Sequence, residues 1–167
     1  GNTLITIARG SSWAINNELI DENLVESKKD STHSRKNYVD ASGFIGRERI
    51  GGVILRADLD LTHPIAFGYN DSSIPVYKNN NVFINKTKDD YSSVAVYSDD
   101  FHIDGYISEL NRDEFIPGAA SLIISKLGSG RVVVFADNPN FRGTWYGTNK
   151  LFLNAIFLGD NISVPTD

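Results

Sequence analysis

Apolar positions along the chain come in short runs set apart by Gly, Asn, Asp and Ser, and their spacing alternates between two periods. The opening TLITIA, residues 3–8, is rich in β-branched side chains, and RGSSWAINNELI, residues 9–20, continues with helical spacing. A strand, a glycine turn and a helix are predicted there, as at the start of an α/β unit. From 22 to 38 the chain turns polar and charged, with almost no apolar periodicity after Val25, and an exposed excursion is predicted. In RIGGVILRADLDLTHP a buried strand begins near Ile50, with Gly51-Gly52 at its entry, and Thr62-His63-Pro64 ends it. SIPVYK, NVFI and SVAVYS read as three more short strands between polar clusters. SLIISKLGSGRVVVFA places two β-rich runs around Gly-Ser-Gly, the pattern of a hairpin. A last helix is predicted over 148–158, with Thr148 as N-cap and Gly159 as its stop. Its apolar residues leave almost no polar face, which predicts burial on most sides. One domain over 1–160 and a polar tail over 161–167 complete the reading.

A length of 167 residues suits one domain with its own core. Net charge is −5 and the Lys and Arg residues are scattered, so no nucleic-acid partner is expected. No apolar run approaches the ~18 residues of a membrane span, and no signal peptide opens the chain. Cysteine is absent, which removes disulfides, thiolate metal sites and thiol nucleophiles together. Methionine is absent as well, so an excised piece of a longer polypeptide is expected, with Gly1 a cloning remnant.

Three groups of residues are candidates for chemistry. The first is Ser11 or Ser12, at the strand-to-helix turn, where a nucleophile elbow would stand. Gly-x-Ser-x-Gly is missing, however, and a serine there also caps the helix. Of His33, His63 and His102, only His63 ends a convincing strand, so a hydrolase would pair it with Ser11 or Ser12. A histidine before proline equally fixes a turn. The second group is carboxylates: Asp58 with Asp60, Asp89 with Asp90, and Asp99, Asp100 with Asp104 are solvated loop acids by default. No His or Cys pair has zinc spacing, and no metal site is expected. The third is DNPNFRGTWYGTNKLF, from 137, which follows the last strand. Asp137, Asn138 and Asn140 form turns, Arg142 offers five donors, and Trp145 and Tyr146 could stack on a ligand or cover the core. Fastening and binding both remain open for this loop.

The runs GRVVVFADNPNFRGTWYGTNKLFLNAIFLG, GGVILRADLDLTHPIAFGY and TLITIARGSSWAI together resemble the C-terminal domain of bacterial zinc carboxypeptidase-like proteins of the M14 type. That resemblance implies a class I glutamine amidotransferase-like fold, a flavodoxin-like three-layer α/β sandwich, here with a β-rich insertion. It also implies upstream strands and helices that this chain lacks, leaving an incomplete sandwich with an exposed sheet edge. Such a fold would keep a cysteine at the first elbow and a His-x-Glu pair after the late strand. Here the elbow, about Arg9-Gly10-Ser11, has no cysteine, and DNPNF stands in the place of the pair. The implied role is a non-catalytic accessory domain that packs on the peptidase or helps it hold substrate, in a secreted or periplasmic setting. Its partner would be the upstream domain of the same polypeptide. No cofactor is implied in this fragment, and zinc is expected only in the upstream peptidase domain. The alternatives are a Ser-His hydrolase on the same fold and a peptide- or carbohydrate-binding module using Arg142, Trp145 and Tyr146.

Overall fold

A computed structural model describes residues 1–26, 37–89 and 91–163. Among these residues one mixed sheet contains seven strands: β1 (Thr3–Ile7), β2 (Val53–Leu59), β3 (Ser73–Lys78), β4 (Ile84–Asn85), β5 (Ser93–Gly105), β6 (Ala119–Leu127) and β7 (Gly130–Phe135). Their spatial order is β1-β7-β6-β5-β2-β3, and β4 pairs with β6 off this path. Three α-helices accompany them: α1 (Arg9–Asn16), α2 (Ala41–Gly46) and α3 (Tyr146–Phe157).

The central strands are apolar on both faces because both faces are covered. In β7, Val133 and Phe135 point into one core with Leu122, Ile124, Leu151 and Ala155. Val132, Val134 and Ala136 point into a second core with Ile15, Ile20, Ile84 and Ile123. This is the period-two alternation of a strand, read out as two separate cores. Helix α3 therefore covers one face and α1 the other, and Ile162 closes the α3 side.

The expectation of a flavodoxin-like three-layer sandwich does not hold. The sheet is mixed and curled into a half-barrel with few helices. A parallel sheet needs a helical crossover at every step, and here only β1 and β7 pair in parallel. The pairs β2–β3, β2–β5, β5–β6 and β6–β7 are all antiparallel. What the sequence presented as a β-rich insertion is the body of the sheet.

Locally, the β6–β7 hairpin closes at Leu127↔Gly130, and Gly128 takes the positive φ of 57° that the tight turn requires. Strand β5 runs much further than SVAVYS, because its second half pairs with β2 through register shifts while its polar side chains face solvent. Most of the predicted excursion, 27–36, lies outside the described residues. Its entry is pinned: the Val25 N–H donates to the Phe83 carbonyl at 2.8 Å, and the Asn85 N–H donates to the Asn23 carbonyl at 2.9 Å.

Helix α3 begins two residues before its predicted start. Thr148 is not its cap but a buried side chain donating to the Pro139 carbonyl at 2.9 Å. Nor is the helix buried on most sides, since Leu153, Ile156 and Phe157 are exposed.

Candidate functional site

Strand β7 delivers Asp137 into the interior, where it is 3% exposed, and the end of β3 delivers Lys78, which is 0% exposed. Lys78 Nζ donates to Asp137 Oδ1 at 3.0 Å and to the Val82 carbonyl at 2.6 Å, with the Phe83 ring centroid 4.5 Å away. The other carboxylate oxygen accepts from Tyr97 Oη at 2.6 Å, on β5, and from Ser121 Oγ at 2.9 Å, on β6. Burial pulls the Lys78 ammonium below its ordinary range, and Asp137 opposes that pull. Burial first, and Asp137 second, push the Tyr97 phenol well above its ordinary range, which keeps it a neutral donor. Three of the roughly four acceptor positions of the carboxylate are thus taken by internal donors in the interior.

Much of the rest of the loop makes internal contacts. Asn138 Oδ1 accepts from the Asn140 N–H at 3.0 Å, a local turn, and Asn140 Oδ1 accepts from Asn149 on α3 at 2.7 Å. Phe141 lies 4.1 Å from the Tyr77 ring, centroid to centroid, and Trp145 lies 5.9 Å from it. The Trp145 indole donates to the Pro75 carbonyl at 3.2 Å. Strand β3 is a sheet edge, and Pro75 is tolerated there because an edge residue can do without an N–H. The aromatic loop thus covers an edge that would otherwise invite pairing with another chain. Of the predicted binding set, Arg142 and Tyr146 are the members exposed to solvent, and the Arg142 guanidinium sits over the Phe141 ring at 5.3 Å.

The predicted Ser-His pair is not brought together. Ser11 is fully buried inside α1 rather than at its cap. Its hydroxyl donates to the Phe135 carbonyl at 2.7 Å and lies 3.0 Å from the Thr6 hydroxyl. His63 is on the opposite face of the sheet, in the turn whose Ile65 and Ala66 pack with Val133, Phe135 and Leu151. There its Nδ1 accepts from the Ile65 N–H at 3.1 Å. His102 is exposed on β5, with Nε2 2.8 Å from the Gly105 carbonyl, and His33 lies outside the described residues. Among the carboxylates, Asp58 accepts from Ser98, Asp60 from Thr62 and Asp100 from Arg56, each separately.

The strand-to-helix elbow exists, but one step earlier than the sequence indicated. Its apex is Ala8, with φ 50° and ψ −113°, a backbone state that a residue with a Cβ seldom adopts. The strain is held by the Ala8 N–H donating to the Phe135 carbonyl at 2.8 Å, and by the Ser11 and Ser12 N–H groups, which donate to the Ala8 carbonyl. An elbow of this kind presents its apex side chain to a ligand, and here that side chain is a methyl group.

Close to the elbow, an open cleft of about 590 Å³ lies between α1 and the loops at 49–51 and 79–82, with Arg9, Ser12, Arg49, Ile50, Asn81 and Val82 among its lining residues. Of these residues the sequence offers only Ser12 as a candidate for chemistry. The available signal was an arginine directly after a strand and an Asn triplet directly after another. No protein-family model, curated protein or solved structure matches the chain.

Two outcomes follow from this geometry. Replacing Ala8→Gly removes a strain of about 1–3 kcal/mol and adds about 0.5–1 kcal/mol of backbone entropy loss, so thermal unfolding is expected to shift upward by about 2–4 °C. An unchanged or lower midpoint would mean that the elbow is not strained. The second concerns His63, whose pKa is lowered from 6.5 by burial, with Asp60 pulling the other way. The unfolded chain then takes up the proton more readily than the folded one. Stability from His63 is present above pH 6.5 and is lost as pH falls through the folded-state value. The loss between pH 7 and 5 is expected to be smaller in His63→Gln, measured by urea unfolding; equal slopes in the two proteins would contradict it.

Proposed function

We propose that this chain is a non-catalytic accessory domain that packs against the upstream domain of the same polypeptide, a carboxypeptidase-like hydrolase, in a secreted or periplasmic setting. The observation that carries this reading is the outer face of α3. Its inner residues Thr148, Leu151 and Ala155 are buried, while Tyr146, Leu153 and Phe157 form a solvent-facing stripe at i, i+7 and i+11. Phe157 is 77% exposed and Ile156, beside it, 50%. Phe67, 72% exposed, sits on the neighbouring turn, and its carbonyl accepts from Asn154 of α3 at 2.9 Å. Contiguous apolar surface of this kind marks a place where another protein surface sits.

What supports the absence of turnover is the disposition of the reactive groups. The elbow apex is Ala8, Asp137 is buried and holds three internal donors, and His63 and Ser11 occupy opposite faces of the sheet. In the described residues no helix is long and apolar enough to cross a membrane.

Because the chain contains no cysteine, single-cysteine labelling reads the α3 face directly. In the longer polypeptide that includes the upstream domain, Leu153→Cys is expected to react with a maleimide at least about tenfold more slowly than in the isolated chain. Asn16→Cys, on α1, is expected to react equally in both. Equal rates at position 153 would overturn the docking role.

A further inference from the structure

We propose that the cleft beside the Ala8 elbow is a binding site for an organic carboxylate that carries an apolar group, of the kind presented by the free C-terminal end of a peptide. Arg9, from the start of α1, and Arg49, from the loop before β2, are both exposed and line the same cleft. Among the described residues neither guanidinium takes part in an ion pair. Among the described residues no Asp or Glu lines the cleft, although the chain as a whole carries a net charge of −5. Positive charge is therefore gathered here against the overall balance, and it lacks an internal partner among the described residues.

The neighbouring polar groups sharpen the chemistry. Asn81 Oδ1 accepts from the Ile50 N–H at 3.0 Å, which leaves its NH₂ as the free end of the amide. Asn80 is held on both ends, its Oδ1 by the Val82 N–H at 2.8 Å and its Nδ2 by the Ala136 carbonyl at 3.1 Å. Two guanidinium forks, the Asn81 NH₂, the Asn79 amide and the Ser12 hydroxyl line the wall, and the two charged groups among them are both donors, which favours an anion. Guanidinium groups pair with a planar carboxylate through two parallel hydrogen bonds. Ile50 and Val82, both buried, supply apolar surface beside those donors. That surface favours an organic anion over a bare inorganic one. Asn80 also connects the cleft to the interior, because the same side chain braces the segment whose Val82 carbonyl accepts from Lys78. The cleft wall is thus pre-organised by the buried ion pair.

This site lies on the α1 side of the sheet, away from the α3 face, so its test and the docking test fail independently. The probe is N-acetyl-Phe-Leu as the free acid, titrated by calorimetry against the intact chain, with its C-terminal amide and inorganic phosphate as comparison arms. The acid is expected to bind, and the amide to bind at least about tenfold more weakly, since it offers no charged acceptor. Phosphate is expected to bind more weakly than the acid. Arg49→Gln, at an exposed position, is expected to weaken the acid at least about tenfold while leaving the unfolding midpoint unchanged, and Arg9→Gln to do the same. Equal binding of acid and amide, phosphate binding as tight as the acid, or wild-type affinity in both variants would each overturn the proposal.

Discussion

The buried pair of Lys78 and Asp137 is the constraint on which the rest of the structure depends. In the sheet, β3 and β7 are separated by β2, β5 and β6. A lysine on the first and an aspartate just past the second meet only if the sheet curls. Asp137 then takes its remaining donors from Tyr97 on β5 and Ser121 on β6, so one carboxylate ties three strands to the end of β7. Desolvating two charges is expensive, and a buried pair repays it only when geometry is good and the other hydrogen-bonding positions are filled. Here they are filled by a phenol, a serine and a backbone carbonyl. The pair fixes which strand ends meet, and so acts on specificity of the fold more than on its net stability.

Two neighbouring features follow from that anchor. Once Asp137 is drawn inward, the chain after it must leave the sheet sharply, and residues 138–147 fold back over the β3 edge, where Phe141 and Trp145 rest on Tyr77. The backbone carbonyl of Phe135, two residues before Asp137, receives both the Ala8 N–H and the Ser11 hydroxyl, so the strained elbow is held by the end of the same strand. Several of the reactive-looking groups of this loop are thereby engaged in internal contacts. Surface features open to a partner are the donor-lined cleft and the outer face of α3, which Tyr146 begins.

Much of the local structure was legible in the sequence, because apolar runs bounded by Gly, Asn and Ser encode strand and turn directly. β1, β3 and the β6–β7 hairpin are cases of this. The fold class was not legible, because strand-by-strand patterning does not say whether two strands pair parallel or antiparallel. The second half of β5 was missed because SDDFHIDG is polar, and a strand with its side chains in solvent carries no apolar signature. Lys78 closes SIPVYK, where a lysine ordinarily marks a solvated strand end, and Asp137 opens a turn-like DNPN. Each residue has an ordinary local explanation, and only their meeting across the curled sheet reveals the pair. The exposed face of α3 was misjudged for the opposite reason: its composition is that of a buried helix, and composition does not say what covers it.

The direct measurement is a double-mutant cycle on Lys78 and Asp137, read by urea unfolding. If the pair is the structural keystone, Lys78→Met and Asp137→Leu each lower stability by about 3–5 kcal/mol, because each leaves an unpaired charge in the interior. The double variant, which leaves neither charge, should be more stable than either single one. Two mild single variants whose effects simply add would contradict it and return Asp137 to the residues available for function.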